Sequence, residues 1–330
     1  MSLLLRQLAP TAGARILGLG SRQPEQIVTN ADIAARGVQT TDEWIRSRVG
    51  IAERRFARKD ESVVDMAVDA GAKALADAGL APADIDAVLV ATCTMPSYIP
   101  NAAGQTADRI GARAAPAFDI NAACAGFCYG LGTASDMIRA GSARHVLVIG
   151  AEKLSDWVDP MERATCIIFA DGAGAAVLGP VDHDEPPGIG PIAAGSAGDL
   201  VDTIVVADRN SFIRQEGQEV YRWAITKIAP VALRALELAG LAPADVDVLV
   251  PHQANLRIVE AIAKRMRAAG AREDMVVADD IVHSGNTSSA SIPLALDHMR
   301  AEGRVRSGDL ALLIGFGAGL SYAGQAVVLP

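Results

Sequence analysis

Apolar and polar positions along the chain repeat a pattern in which a helical stretch is followed by a turn and a strand. Residues 73–86 read KALADAGLAPADID: a helical stretch ends at a glycine, a proline-containing turn follows, and the apolar run 87–91 begins. Residues 234–247 read RALELAGLAPADVD and lead in the same way into the apolar run 248–250. The pattern predicts two related α/β units, the alternative being a chance match within an alanine-rich sequence.

Two further matches extend the repeat. The segment Arg144–Gly150 resembles Asp309–Gly315, and residues 175–180 resemble residues 325–330. We therefore expect two similar halves, residues 1–180 and residues 181–330. Buried strands followed by helices predict mixed sheets that are largely covered on both faces.

The composition indicates a globular protein and argues against nucleic-acid binding and membrane insertion. Half of the 330 residues are hydrophobic and 21% are charged, so the chain can form a large core. The net charge of −9 and the aromatic content of 4% argue against a nucleic-acid partner. The longest apolar run, residues 310–320, is too short to cross a bilayer, and the apolar patch after Met1 is too short for a secretory leader. We expect no membrane association, no disulfide framework among the four cysteines, and a cytoplasmic location.

The repeat also pairs two segments of chemical interest. Asn121-Ala-Ala-Cys124 and Asn286-Thr-Ser-Ser289 are 165 residues apart, as are Gly150 and Gly315, and each segment precedes a helical stretch. If a pseudo-twofold axis relates the halves, the two helix starts face each other across the seam. We expect catalytic groups from both halves to gather there.

Cys124 is the candidate nucleophile. It follows the apolar strand 117–120 and opens a helical stretch, where the positive end of the helix dipole and unpaired N–H groups favour a thiolate. The alternative is an inert buried cysteine, which is our interpretation of Cys93, Cys128 and Cys166. A metal site at Cys124 and Cys128 would need further ligands, and the sequence offers none nearby.

His252 and Asn286 are candidate polar groups beside the nucleophile. His252 follows a strand, and functional groups gather at the carboxyl ends of strands in α/β folds, although a lone histidine is more often a surface or core residue. Asn286 could equally cap a helix. The run Gly315-Phe-Gly-Ala-Gly319 forms either a tight turn with positive φ or a source of N–H groups for an oxyanion.

Six motifs, in order along almost the whole chain, resemble those of β-ketoacyl-acyl carrier protein synthase III, the initiating condensing enzyme of bacterial fatty acid synthesis. They are Thr41–Ile45, Ala123–Phe127, Phe169–Gly174, Val250–Ile258, Gly285–Ser288 and Gly315–Gly319. The resemblance implies an α/β thiolase fold with a duplicated αβαβα five-layer architecture. The N-terminal half would carry the nucleophilic cysteine, and the C-terminal half would carry the histidine and the asparagine.

The resemblance also implies a mechanism. Cys124 would take an acyl group from acyl-CoA, and the backbone N–H groups of Cys124 and Ala318 would stabilise the oxyanion. Malonyl-acyl carrier protein would then bind, and His252 and Asn286 would donate hydrogen bonds to its thioester carbonyl and stabilise the enolate left by decarboxylation. That carbanion would attack the acyl-cysteine to give a β-ketoacyl product. No metal or redox cofactor would be required.

The substrate sites follow from the same resemblance. Trp44 and Arg163 would sandwich the CoA adenine, with Arg48 near its phosphates, unless they are ordinary surface packing. Ala318 stands where the family commonly has glycine, which leaves the backbone N–H in place. Ile99 stands where acetyl-preferring members have a bulkier aromatic residue, so we expect a branched short-chain primer. The family places the Ile99 loop in the partner's acyl pocket, which requires a homodimer.

Charge predicts where the carrier protein docks. Residues 252–272 contain five basic residues against Glu260 alone. We expect Arg257, Lys264 and Arg265, extended by Arg222, to bind an acidic acyl carrier protein, the alternative being a solvated helix face.

Other members of the fold give competing functions. A degradative thiolase would need a second cysteine near the C-terminus, and none follows Cys166. An elongating ketosynthase would need a second histidine in place of Asn286. A priming ketosynthase of a polyketide pathway and a CoA-dependent acyltransferase remain open. A subunit with a dead site would have lost Cys124, His252 or Asn286.

Overall fold

The computed structural model describes residues 11–182 and 184–330, so the first ten residues of the predicted N-terminal half and His183 lie outside the described part. The strands are β1 Ala14–Arg22, β2 Gln26–Thr29, β3 Glu53–Phe56, β4 Ala87–Ala91, β5 Ala117–Ile120, β6 Val146–Lys153, β7 Asp171–Pro180, β8 Ala193–Ser196, β9 Ile204–Val205, β10 Arg214–Gln215, β11 Val248–Pro251, β12 Val276–Val277, β13 Leu310–Phe316 and β14 Ser321–Val328. The α-helices are α1 Asn30–Ala35, α2 Asp42–Val49, α3 Val63–Ala78, α4 Ala102–Ile110, α5 Gly126–Arg139, α6 Arg163–Cys166, α7 Gly217–Ala239, α8 Leu256–Ala268, α9 Ile281–Ser284 and α10 Ser291–Ala301.

Two five-stranded mixed sheets have the same topology. The first has the order β1-β7-β6-β4-β5, with β5, β4 and β6 parallel and β7 and β1 antiparallel to their neighbours. The second has the order β8-β14-β13-β11-β12, with β12, β11 and β13 parallel and β14 and β8 antiparallel. Strand for strand, the second sheet repeats the first.

Helices cover both sheets and fill the space between them. Helices α3 and α4 pack on the outer face of the first sheet, and α7 and α8 pack on the outer face of the second. Helices α5 and α10 lie between the sheets, where Phe127, Leu131 and Ile138 of α5 join Ile292 and Leu296 of α10 in a fully apolar core. The predicted duplicated αβαβα fold is confirmed, and we propose that its halves divide after Pro180, the last residue of β7.

The repeated sequence forms the same local structure in both halves. Helices α3 and α7 end at Gly79 and Gly240, which adopt φ of 65° and 71°. Glycine reaches this left-handed conformation without the steric cost of a Cβ. A short 3-10 turn follows in each half, in which the side chain of Asp84 or Asp245 accepts a hydrogen bond from the backbone three residues earlier. The repeated sequence therefore specifies the end of a helix and the start of the strand that follows it.

The two paired segments meet at the centre of the molecule, as predicted. Each forms a 3-10 turn before a central helix, and the equivalent residues Ala123 and Ser288 have φ of 46° and 50°. Gly150 and Gly315 are the strand residues that let these turns approach: a Cβ on Gly150 would lie 2.3 Å from Ser289 O, and one on Gly315 would lie 2.9 Å from Ala125 Cα. The sheets can thus hold both turns in contact only because glycine occupies these positions.

Candidate active site

One cavity of about 1010 Å³ opens between the halves, and its wall contains Cys124, His252 and Asn286. The three side chains come from three different places in the topology: the turn after β5, the end of β11, and the turn before α10. The same wall contains Trp44 and Arg48 from α2. The structure therefore brings together residues that are more than 200 positions apart in the sequence.

Cys124 lies in the 3-10 turn Ala123–Ala125 that precedes α5. The glycine-rich turn after β13 packs directly against it, because a Cβ on Gly317 would lie 2.8 Å from Cys124 N and 3.0 Å from Cys124 Sγ. Among the described residues, neither the Cys124 N–H nor the Ala318 N–H donates to a backbone carbonyl, and the Cys124 N–H contacts the sulfur of its own residue. Two backbone donors therefore border the cavity near one sulfur, which is the arrangement that an oxyanion requires.

The surroundings of Cys124 affect its ionisation. The residue is open to the cavity yet deep within the protein, and burial raises the pKa of its thiol to about 12. The Ser288 hydroxyl lowers that pKa, and the nearby Glu152 carboxylate raises it. Burial therefore opposes the thiolate that the helix start was predicted to favour, and the thiolate remains a prediction.

His252 is buried and held in one orientation. Its backbone N–H donates to Ile314 O at 2.7 Å, and its ring stands edge-on to Phe316 with ring centroids 5.3 Å apart. Ring atom Nδ1 lies 2.7 Å from Ser291 Oγ, and that oxygen also accepts the Gln253 N–H at 3.3 Å.

The Ser291 contact sets the tautomer of His252. Among the described residues, the Ser291 hydroxyl has no acceptor other than Nδ1. The arrangement that pairs every group thus has Ser291 donating to Nδ1, with the ring hydrogen on Nε2. Burial lowers the pKa of His252 to about 3, so the ring is neutral at physiological pH and presents an N–H donor at Nε2.

Asn286 is fixed by backbone and side-chain hydrogen bonds. Its N–H donates to Ile168 O and its carbonyl accepts from Ala170 N, both at 2.9 Å. Its side-chain Oδ1 accepts the Ser288 N–H at 2.8 Å. Because Oδ1 is occupied in this way, the Nδ2 amide is the group that remains to face the cavity, and it is a hydrogen-bond donor.

The aromatic and basic residues predicted to bind CoA gather at α2. The Arg163 guanidinium lies over the Trp44 ring at 4.7 Å from its centroid, and Arg48 lies 5.7 Å from the same centroid. Arg163 also donates to Gln39 O at 2.9 Å. A flat base stacked between Trp44 and Arg163 would need a contact of about 3.5 Å on each side, which is more than the present gap allows. The Arg163 side chain would therefore have to move outward.

Ile99 does not reach the cavity of its own chain. Its side chain is 88% exposed, beside Tyr98, which is 81% exposed. The loop is tied to the cavity wall by Arg209, which lies 3.5 Å from the centre of the Tyr98 ring and donates to Met95 O at 2.7 Å.

The other cysteines divide into two groups. Cys128 and Cys166 are buried, as predicted for core residues. The core interpretation of Cys93 is wrong: it is half-buried, lines the cavity, and donates through its backbone N–H to Glu152 at 3.1 Å. Cys93 follows β4 with only Thr92 between them, and this position places it at the same edge of the sheet as Cys124.

The predicted carrier-docking residues lie in two zones. Arg222 and Arg257 border the cavity, and Arg257 stacks on Tyr221 at 5.1 Å from the ring centroid. Lys264 and Arg265 are exposed further along α8. The opposite face of α8 packs into the core through Ile258, Val259, Ile262 and Met266, which are all buried.

Three residues near the nucleophile were not identified from the sequence: Glu152, Ser288 and Ser291. Glu152 offered a signal, since an acidic residue within the apolar strand sequence VLVIGAEK is unusual. The two serines offered none, because serines in a turn before a helix are common.

Comparison with known proteins places the chain among enzymes of acyl chain assembly. The family model described as 3-oxoacyl-[acyl-carrier-protein] synthase III matches residues 118–198, and the model of its C-terminal region matches residues 236–329. The β-ketoacyl-[acyl-carrier-protein] synthase III 4 of Streptomyces coelicolor is 50% identical over 96% of this chain and 99% of its own length. The mycobacterial β-ketoacyl-[acyl-carrier-protein] synthase III of Mycobacterium tuberculosis is 48% identical over 99% of each chain.

A solved structure is similar over the whole fold. The priming β-ketosynthase of the R1128 polyketide biosynthetic pathway superposes with a TM-score of 0.93 at 43% sequence identity, covering 99% of this chain and 98% of the other. No described helix, in residues 11–182 or 184–330, is long and apolar enough to cross a membrane.

Proposed function

The chain belongs to the 3-oxoacyl-[acyl-carrier-protein] synthase III family of condensing acyltransferases, and on that premise we propose that it joins an acyl-CoA primer to malonyl-acyl carrier protein. The observation that carries the proposal is the single cavity whose wall holds Cys124 from the first half with His252 and Asn286 from the second. A nucleophile and two neutral donors are the groups that a decarboxylative condensation needs.

In the first step, Cys124 Sγ attacks the thioester carbon of the acyl-CoA and the CoA thiolate leaves. The carbonyl oxygen becomes an oxyanion during this exchange, and the backbone N–H groups of Cys124 and Ala318 are its donors. Gly317 supports this step indirectly, because any side chain there would collide with Cys124. Backbone donors serve as well from alanine as from glycine, so Ala318 is compatible with the role.

In the second step, the malonyl thioester carbonyl accepts hydrogen bonds from His252 Nε2 and Asn286 Nδ2. Loss of carbon dioxide leaves an enolate, and both donors stabilise its negative charge. The low pKa of His252 suits this task, because a neutral ring donates without surrendering its proton to the enolate. The enolate carbon then attacks the acyl-Cys124 carbonyl and expels the cysteine sulfur, which releases a β-ketoacyl product.

Separate surfaces receive the two substrates. Trp44, Arg48 and Arg163 bind the adenine and phosphates of CoA at the cavity mouth, with Arg163 stacking on the base. The carrier protein docks on Arg222, Arg257, Lys264 and Arg265, whose charge complements an acidic partner.

We further propose a homodimer in which Ile99 enters the acyl pocket of the partner. Strand β5 is the edge of the first sheet, and Phe118 on it is 39% exposed; Tyr98 and Ile99 are exposed as well. An unpaired edge strand and exposed apolar side chains favour association with a second copy of the chain. Ile99 occupies less depth than an aromatic side chain, so branched primers such as isobutyryl-CoA fit better than they would beside phenylalanine.

The similarity to the R1128 priming ketosynthase favours a second candidate function, the priming of a polyketide pathway by the same chemistry. The two candidates share every residue role given above and differ in the carrier protein that accepts the product.

A primer panel tests the proposal. Purified enzyme is mixed with malonyl-acyl carrier protein and with acetyl-, isobutyryl-, isovaleryl- or longer acyl-CoA, and product and carbon dioxide are quantified. The proposal predicts one 3-oxoacyl-carrier product and one carbon dioxide per CoA released, and no 3-oxoacyl product from Cys124→Ala. Acyl transfer to a small alcohol or amine without carbon dioxide release would overturn it. Repeating the assay with fatty-acid and polyketide carrier proteins separates the two candidates.

A further inference from the structure

Arg54 is a fully buried arginine on β3 that the proposed condensation does not use. Its two terminal nitrogens donate to Val28 O at 3.3 Å, Asn30 Oδ1 at 2.8 Å and Ile167 O at 2.7 Å, and all three acceptors are neutral. Among the described residues its Nε has no hydrogen-bond partner. Burial lowers the pKa of Arg54 to about 10, so the guanidinium is charged at physiological pH. Arg54 is therefore a buried positive charge bound to neutral acceptors.

Packing alone does not account for an arginine at this position. Burial of a charge is costly, and a hydrophobic side chain of similar volume often replaces a buried ion without loss of stability. What the guanidinium adds is a rigid fork that can bind two segments at once. One terminal nitrogen binds β2 and the first residue of α1, and the other binds the carbonyl of Ile167, directly after α6. Arg54 thus fixes the end of α6 relative to the start of α1.

The segment that Arg54 binds after α6 is also the segment that holds Asn286. Ile167 O accepts a hydrogen bond from Arg54, and the next carbonyl, Ile168 O, accepts the Asn286 N–H at 2.9 Å. Two residues further on, the Ala170 N–H donates to Asn286 O at 2.9 Å. Neighbouring peptide groups of residues 167–170 therefore bind Arg54 and the backbone of Asn286.

Arg54 also contacts the chain directly before Asn286. A Cβ on Gly285 would lie 2.9 Å from Arg54 Cβ, so the main chain of Gly285 packs against the arginine side chain. Two residues before Arg54, the Ala52 N–H donates to Val282 O of α9 at 2.7 Å. The position of Asn286 is thus determined by Arg54 through residues 167–170 and through the contact with Gly285.

We propose that Arg54 is a positioning residue for Asn286, which fixes the direction in which the Asn286 amide meets the malonyl thioester. The inference rests on the proposed role of Asn286 as a donor to the enolate. Because Asn286 Oδ1 accepts the Ser288 N–H from the same turn, the orientation of the amide follows the backbone that carries it. A misplacement of about 1 Å can reduce a rate about 100-fold, so a small movement of residues 167–170 is sufficient. Arg54 itself touches no substrate.

A role in stability alone predicts a different result. Loss of a buried hydrogen-bond network loosens the fold, and both steps of the reaction then slow together. The hydrogen bonds of Arg54 do not involve the turn that carries Cys124, so a positioning role predicts a loss confined to decarboxylation. Because α6 begins at Arg163 in the proposed CoA site, acylation is compared at saturating acyl-CoA, where weaker CoA binding has no effect.

The test compares Arg54→Met and Arg54→Lys with the wild-type enzyme. Methionine removes every donor, and lysine keeps a charge but ends in one nitrogen, whereas arginine uses two to bind Asn30 and Ile167. Intact-protein mass spectrometry gives the acylation rate of Cys124, and carbon dioxide release from malonyl-acyl carrier protein gives the decarboxylation rate. We expect decarboxylation to fall at least about tenfold in both variants, while acylation stays within about threefold of wild type.

A double-mutant comparison shows whether the effect passes through Asn286. If it does, Arg54→Lys should slow decarboxylation by less than about twofold in the Asn286→Ala background, since residues that act as a unit are not additive. The matched control is Asn30→Ala, which removes one acceptor of Arg54 and leaves its hydrogen bond to Ile167 O. Decarboxylation by this control should stay within about threefold of the wild-type rate.

Three outcomes would overturn the role of Arg54. They are equal losses of acylation and decarboxylation in its variants, decarboxylation at the wild-type rate, and a full further loss in the Asn286→Ala background. Arg54→Lys decides the matter if Arg54→Met does not fold. Decarboxylation at the wild-type rate by Asn286→Ala alone would instead refute the proposed function of Asn286, and this outcome is independent of any Arg54 variant.

Discussion

Truncation of Asn286 to alanine separates decarboxylation from acyl transfer. The change removes the Nδ2 donor from the cavity wall and also removes Oδ1, which accepts the Ser288 N–H at 2.8 Å. Loss of one oxyanion donor reduces turnover about 100–1000-fold, or about 3–4 kcal/mol of activation free energy. Loss of the partner of a buried N–H reduces the free energy of unfolding by about 1–3 kcal/mol. We expect both effects together in Asn286→Ala.

The matched control is Asn30→Ala, which truncates another buried asparagine. The Asn30 side chain donates to Ile51 O at 2.8 Å and accepts from Arg54 at 2.8 Å, away from the cavity. The same side chain also donates to Asp42 Oδ1 at 2.8 Å, so its loss should reduce the free energy of unfolding by at least as much and leave condensation intact. Comparing the two variants therefore distinguishes a lost donor from a loosened fold.

Two assays read the result. Quenched mixing with acyl-CoA and intact-protein mass spectrometry give the acylation rate of Cys124, and carbon dioxide release from malonyl-acyl carrier protein gives the decarboxylation rate. We expect Asn286→Ala to acylate within about threefold of wild type while decarboxylation falls at least about 100-fold. Equal losses in the two steps, or decarboxylation at the wild-type rate, would refute the assignment of Asn286 to the enolate.

Three further predictions follow from other parts of the structure. Burial raises the pKa of Asp171 from 3.8 to about 6. The folded state therefore holds this proton more tightly than the unfolded chain does. The free energy of unfolding should fall by about 3 kcal/mol as the pH rises from about 4 through about 6. The free energy of unfolding of Asp171→Asn, measured in urea, should depend less steeply on pH than that of the wild type. An equal pH dependence in the two proteins would contradict this cause. Reversal of Lys264 and Arg265 to glutamate should raise the KM for malonyl-acyl carrier protein and flatten its salt dependence, whereas equal damage to acyl-CoA kinetics would show that the charges have no specific partner. Ile99→Phe should shift the ratio of kcat/KM for acetyl-CoA to that for isobutyryl-CoA by about tenfold or more, because a small change in pocket fit contributes about 1–3 kcal/mol. An unchanged ratio would show that Ile99 does not line the acyl pocket.

The fold was predictable because its information is local and repeated. The helix stop at Gly79, the proline turn and strand β4 occupy consecutive residues, and the same order recurs before β11. The equivalence of Gly150 and Gly315 in the two halves was also predictable, because the two residues are separated by the same distance along the chain as the two paired segments. These features need no knowledge of the tertiary contacts, so periodicity and repetition sufficed to place both central turns.

The environment of the nucleophile was not predictable by the same route. Glu152 is hydrogen-bonded to residues 58 to 137 positions away, and no periodic pattern connects it with Thr94 or Ser289. The burial that opposes a thiolate at Cys124 was not predictable for a related reason. A helix start is a local feature, but the burial that raises the pKa of this thiol comes from both halves of the protein.

In the proposed reaction, Cys124 carries the acyl group between the two substrates. The most direct measurement is proteolysis and mass spectrometry of enzyme mixed with acyl-CoA alone and then chased with malonyl-acyl carrier protein. We expect a mass increase of one acyl group on the peptide that contains Cys124, and its disappearance during the chase as the 3-oxoacyl product forms. An acyl group on Cys93, Cys128 or Cys166, or one on Cys124 that persists through the chase, would contradict it.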